Sequence, residues 1–171
     1  PLNHLAAFEK YFANPSGENK ANIAGIIRNE MPHESFLECA IWYYSAGRNV
    51  EAATVLDMSP DTPEKKYWQA YLNNSKLHTS AFQPFLSFPF RSETAEVLEE
   101  LLKKESHWQL KYHLALIFKD RNRLKEALEL LQSCSGEPDF APFYIVRSGL
   151  KKQMNDTSYG EDLEHAAKLD K

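Results

Sequence analysis

Glycine is scarce here, with 6 in 171 residues. An all-β chain needs far more at its tight turns, so this scarcity speaks against one. Cysteine is scarcer still, with Cys39 and Cys134 alone. Two cysteines make no disulfide framework, and each falls in an apolar helical pattern, so the expectation is two buried free thiols. No apolar run approaches the ~20 residues that a membrane helix requires. No secretory leader pattern is visible. The chain begins at Pro1 without methionine and stops on a helix-like pattern. A fragment of a longer protein is therefore expected, and a soluble, cytoplasmic one is favoured. Positive charge is also lacking. The formal net charge is −4, and lysine and arginine form no stripe. That argues against a nucleic-acid binder, which neutralises phosphates with a basic face. Lys103-Lys104 and Lys151-Lys152 are isolated pairs and read as solvated helix surface.

What is present favours helix. Apolar residues make up 43% and charged residues 26%, and Ala, Leu, Glu and Lys recur throughout. Leu2, Leu5, Ala6, Phe8, Tyr11 and Phe12 predict a helix over 2–13, closed by Asn14-Pro15. Ile23, Ile26 and Ile27 predict a second, ending near Asn29. Pro32 suits a first helical turn. Residues 33–60 read as two helices joined by a tight turn at Ala46-Gly47-Arg48. Thr62-Pro63 reads as a cap followed by proline at the first helical position. A fifth helix carries Tyr67, Trp68, Ala70, Tyr71 and Leu72. A short helix near 79–86 follows. Ser92 is expected to cap the helix bearing Val97, Leu98, Leu101 and Leu102. Ser106-His107-Trp108-Gln109 has the form of a capping box. Further helices follow through Leu110–Phe118, through 124–134 and through Phe143–Leu150. The last, 159–169, is expected to turn Leu163, Ala166, Ala167 and Leu169 inward.

The chain also repeats itself. The shift that lays Ala52 on Ala127 also lays Ala40 on Ala115, Tyr43 on Phe118 and Gly47 on Asn122. It pairs Arg48 with Arg123, Glu51 with Glu126 and Leu56 with Leu131. Glycine and asparagine share tolerance for a left-handed backbone at a helix C-terminus. Alanines recur where two helices must approach closely. This pattern resembles the tetratricopeptide repeat, whose period is ~34 residues. The implied fold is all-α: a right-handed α-solenoid of antiparallel helical hairpins in one domain over 1–171. Hairpins are expected near 2–30, 33–59, 63–87, 92–134 (with an extra helix at 92–105) and 141–170, with Ala166 at the alanine position of the last.

The stretches PLNHLAAFEKYF, RNEMPHESFLECAIWYYSAGR, YWQAYL, FPFRSET and EPDFAPFYIVRSGL are similar to a family of large bacterial proteins. In that family, tetratricopeptide repeats follow a sugar-mutarotase-like β-domain. The resemblance implies that this chain is the helical repeat section, without the β-domain's catalytic residues. It implies fold and context rather than an activity.

No chemistry-bearing motif stands out. The six histidines include no H-E-x-x-H pair. His33-Glu34 opens a helix, and His107 and His113 do not share a helical face. There is no G-x-S-x-G and no glycine-rich phosphate loop. No catalytic residue, cofactor or metal is expected of this segment. Stacked hairpins instead offer a curved wall for a partner protein or peptide. Repeat resemblance puts Glu34, Leu37, Glu38, Ile41, Tyr44 and Ser45 on that wall, then Gln109, Tyr112, His113, Leu116 and Lys119. Glu34, Glu38, Tyr44, Gln109, Tyr112 and His113 are the candidate binding residues. The alternative is that Tyr44 and Tyr112 simply pack against neighbouring helices. Tetratricopeptide grooves that hold a C-terminal carboxylate use Lys, Asn and Arg at places where this chain has Glu34, Leu37, Glu38 and Ile41, which argues against that ligand. Three roles follow: a protein-interaction scaffold, an accessory segment that positions an upstream carbohydrate-processing domain, or a purely structural or oligomerising segment. Sugar would be bound only through that absent domain, and neither nucleic acid nor membrane is an expected partner.

One stretch stands apart, Phe85-Leu86-Ser87-Phe88-Pro89-Phe90-Arg91. Its expected role is a junction between hairpins, with Phe85, Phe88 and Phe90 buried and Arg91 bonded to helix carbonyls or to a carboxylate. Phe88 and Phe90 exposed beside a pocket would mark a binding loop instead.

Overall fold

The computed structural model describes residues 2–28, 30–77, 84, 87–134 and 138–170. Their regular structure is ten α-helices with no strand. In order these are α1 (Leu2–Ala13), α2 (Gly17–Ile26), α3 (Pro32–Ser45), α4 (Asn49–Met58) and α5 (Pro63–Leu72). Then come α6 (Ser92–Leu102), α7 (Trp108–Asp120), α8 (Leu124–Gln132), α9 (Ala141–Gln153) and α10 (Tyr159–Leu169). None is long and apolar enough to cross a membrane, among the described residues. Contacts divide the chain into two compact units, Pro1–Leu77 and His78–Lys171.

In the first unit α1 packs on α2 and α3, α3 on α4, and α4 on α5. The core is aromatic. Phe8 lies edge-on to Phe36 at 6.0 Å and to Tyr43 at 6.4 Å, and Tyr44 meets Trp68 at 5.4 Å. In the second unit each helix from α6 to α10 packs on the next in chain order.

The internal repeat is visible atom by atom. Gly47 has φ 75° and Asn122 φ 59°, so both take the left-handed position past a helix end. Beyond them the amide of Arg48 reaches Tyr43 O at 2.9 Å, and that of Arg123 reaches Phe118 O at 2.8 Å. Each arginine then returns over the aromatic ring it caps, at 4.8 Å from Tyr43 and 3.6 Å from Phe118. Each also binds the glutamate three residues on, Glu51 at 3.0 Å and Glu126 at 2.5 Å. Ala40, Ala115, Ala52 and Ala127 are fully buried, as close helix contact demands. These are two antiparallel helical hairpins built alike, as the internal repeat predicts.

The same end-cap recurs after α9, where Asn155 has φ 58° and the Asp156 amide reaches Lys151 O at 2.9 Å. That register corrects the expected alanine position of the last hairpin. Gly160, not Ala166, sits where Ala52 and Ala127 sit. Ser148 stands in for Ala40 and Ala115, and its hydroxyl donates to Tyr159 O across the hairpin at 2.8 Å. A further left-handed residue, Asn74 at φ 48°, follows α5.

Other expectations shift. Helix α2 ends at Ile26 with Ile27 as its cap, and Asn29 lies outside the described residues. Thr62 caps α5 as expected, accepting from the Lys65 amide at 3.1 Å. Ser92 is the first residue of α6 rather than its cap; Arg91 holds the cap position. The box at Ser106–Gln109 does not form, because His107 Nδ1 takes the capping role and accepts from the Gln109 amide at 3.3 Å. Lys151 is buried, not solvated, because Asp162 accepts from its ammonium at 3.1 Å. Arg147 also binds Asp162, at 2.9 and 2.5 Å. Thus α10 turns Asp162 inward and leaves Leu163 47% exposed. Most of the helix expected at 79–86, and Phe85 with it, lies outside the described residues.

Candidate docking cleft

The residue before a proline is pushed toward extended backbone, and proline offers no N–H to a helical ladder. Pro89 therefore interrupts regular structure just before α6, and side chains alternate along the short run. Pro89 is buried, whereas Phe88 is 71% and Phe90 45% exposed. The expected burial of these two rings is thereby overturned. Loop backbone at the surface turns one set of side chains inward and its neighbours outward, and here the proline took the inward place.

The rings stand on a cleft of ≈ 520 Å³ in the second unit. Its apolar lining is Phe88, Pro89, Phe90, Leu116 and Leu124. Its polar lining is Lys119 and Asp120 from the end of α7, Asn122 from the turn, and Gln153 from the end of α9. The cleft thus opens at the turn end of two hairpins rather than along their helix faces.

His113 of α7 and Arg121, the residue that caps α7, bind backbone carbonyls at Pro84 and at Phe90. His113 is completely buried, with Nε2 at 3.2 Å from Pro84 O. A carbonyl oxygen only accepts, so Nε2 carries the proton and donates. Burial pushes the ring's pKa down to about 4, against a smaller upward pull from that bond, so His113 is neutral at pH 7. The Ser87 amide reaches the same carbonyl at 3.4 Å. At the other end Arg121 Nη2 donates to Phe90 O at 3.2 Å. The Arg91 guanidinium lies 4.9 Å from the centre of the Phe90 ring.

The residues singled out from the sequence divide into two groups. Gln109, Tyr112 and His113 are interior. Tyr112 packs among Trp108, Phe140 and Phe143 at 5.5–6.5 Å, and burial pushes its hydroxyl up to about 12. These three cannot present themselves to a partner, because α7 is covered along that face by its neighbours. Leu116 and Lys119, one and two turns further on, line the cleft. In the first unit Glu38 is exposed, and Glu34 and Tyr44 are half-buried. The Tyr44 and Tyr71 hydroxyls are 2.7 Å apart. The structure does not bring these three to the cleft; they belong to the other unit.

No family model matches the chain, and no curated protein does. Two solved structures do. One, titled "Crystal structure of MamA", is 14% identical with TM-score 0.47; the match covers 97% of this chain and 86% of that one. The other, "MamA 41-end from Desulfovibrio magneticus RS-1", is 16% identical with TM-score 0.45, over 98% of this chain and 93% of that one. Neither likeness bears on what the cleft binds.

A second groove of ≈ 530 Å³ runs between α6 and α7. Glu96 and Glu99 face Arg121 and Arg123 there, so its charges balance internally. Among the described residues no group of three or more His, Cys, Asp or Glu is placed to hold a metal ion.

Proposed function

We propose that this chain is a protein-interaction module built of tetratricopeptide-type hairpins, and that it docks a partner protein at the Phe88–Phe90 cleft. The observation that carries the reading is the pair of exposed rings flanking a buried proline, on a loop anchored at both ends. Large aromatic side chains kept out of a core that has room for many others mark an interaction surface. Glu34, Glu38 and Tyr44 on α3 are proposed as a separate contact surface in the first unit. The partner is another protein or a further domain of the same polypeptide.

The test is cross-linking from a photoreactive residue placed at position 88, in cells, followed by identification of the captured chain. A captured protein whose yield falls in a Phe90→Ser background supports the reading. Equal capture from position 88 and from a remote exposed site such as Glu18 refutes it. A glycan-binding screen separates the other role. Sugar binding by a longer natural polypeptide but not by this segment, together with unselective cross-linking, replaces the scaffold with an accessory segment.

A further inference from the structure

A tyrosine pair in the first unit has a chemistry that neither the cleft nor the hairpin joints use. We propose that Tyr44 and Tyr71 are the site of an oxidative cross-link, a carbon–carbon bond between the two rings that staples α3 to α5. The proposal is independent of the docking reading above.

The two helices set the geometry. Tyr44 lies in the last turn of α3 and Tyr71 in the last turn of α5. Their hydroxyls are 2.7 Å apart, and their ring centres are 5.8 Å apart at an interplanar angle of 73°. A tyrosyl radical spreads its unpaired spin over the oxygen and the ring carbons ortho and para to it. The para carbon already bears the Cβ, so two such rings join through ortho carbons, and these flank the hydroxyl. Hydroxyls in contact therefore bring the bond-forming carbons of both rings to one place. Reactants held in this way meet at a high effective concentration.

Access favours the same pair. Both side chains are half-buried, within reach of a small oxidant. Trp68 is fully buried and stands edge-on to Tyr44 at 5.4 Å and to Tyr71 at 6.3 Å. An indole radical takes an electron from a phenol that can release its proton, so oxidation of Trp68 also ends on the pair. Tyr43 and Tyr67 are fully buried, and the Tyr43 hydroxyl donates to Glu9 Oε1 at 2.8 Å.

Each phenol gives up one electron and one proton. The oxidant is a one-electron acceptor such as the carbonate radical anion, two of which take the electrons and protons and leave as bicarbonate. One carbon–carbon bond forms. Each ortho hydrogen then passes to its own phenol oxygen, which restores both hydroxyls and leaves the chain two hydrogen atoms lighter. The bond spans 27 residues and restricts the unfolded chain, as a disulfide of that span does.

The test is flash photo-oxidation of the whole chain at low concentration, with the trisbipyridyl complex of ruthenium and persulfate. Tryptic digestion of the monomer is expected to yield the peptide 29–48 joined to the peptide 67–76, lighter than their sum by two hydrogen atoms. These peptides also contain Tyr43 and Tyr67, so substitutions decide the positions. Tyr44→Phe and Tyr71→Phe should each lower the yield about ten-fold or more, and so should oxidation in concentrated urea, where the proximity is lost. Tyr159→Phe should leave it unchanged. The stapled monomer should melt about 5 °C or more above the unlinked chain from the same flash. A yield that survives either of the first two substitutions, an equal yield in urea, or a stapled chain that melts no higher overturns the proposal. So does a linked product found only in covalent dimers.

Discussion

Lowering the pH should weaken the fold through one side chain, His113. The ring is fully buried, gives its Nε2 proton to Pro84 O, and has its pKa pushed down to about 4 by burial. In the unfolded chain a histidine titrates near ~6.5. The unfolded state therefore takes up a proton first as pH falls, and stability declines from about pH 6.5 until the folded ring also protonates near 4. A separation of about 2.5 units limits the effect to ~3 kcal/mol, and about 2 kcal/mol of it falls between pH 7 and pH 5. The comparison is with His113→Gln, which keeps an amide donor for the Pro84 carbonyl but does not titrate. Urea unfolding of both proteins at pH 7 and pH 5 gives a double difference in which the other histidines and the carboxylates cancel. The variant is expected to start less stable at pH 7 and to lose about 2 kcal/mol less on acidification. Equal losses would refute the reasoning. So would an imidazole resonance of His113 that titrates in the folded protein near pH 6.5.

Asp162→Ala should cost ~3–5 kcal/mol by urea unfolding, because it strands Arg147 and Lys151 in a largely buried site. Burial works to raise the Asp162 carboxyl, but the bonds and charges of Arg147 and Lys151 outweigh it and hold it below its ordinary value. Its contribution is complete above the unfolded carboxylate range and is lost as pH falls through the depressed value. Gly47→Ala should cost ~1–2 kcal/mol by thermal melting, all of it conformational, since φ is 75° and an added Cβ meets nothing within 4 Å. Asn122→Gly, at the matching position, should leave stability unchanged or slightly higher. Cys39, whose thiol burial and nearby Glu38 push up to about 11, should resist a thiol reagent at pH 8 until the chain unfolds.

Helices and hairpin joints were legible because they depend on local rules. Gly47 and Asn122 announce a left-handed backbone by residue type, and Ala52 and Ala127 announce close contact by size. The candidate site was legible only in part. Repeat analogy places Gln109, Tyr112 and His113 on an open wall, but it assumes that each helix leaves the same face uncovered. Here Phe140 and Phe143 cover Tyr112, and the Pro84 segment covers His113. Such covering comes from elements far away in the chain and leaves no periodic trace. The Phe88–Phe90 run had the opposite difficulty. Composition predicts burial for phenylalanine, and nothing local tells which side of a proline turn faces in. Arg147, Lys151 and Asp162 read as surface charges until the two helices are set together.

The loop is held by His113 and Arg121 through the carbonyl oxygens of Pro84 and Phe90, and every residue type presents that same oxygen. Mounting is therefore separated from display. Residues 88 and 90 could be exchanged for almost any others while the seat beneath them stays intact, provided that Pro89 keeps its inward place. Such a mount behaves like an interchangeable reading head. A library randomised at those two positions alone is a compact starting point for selecting binders.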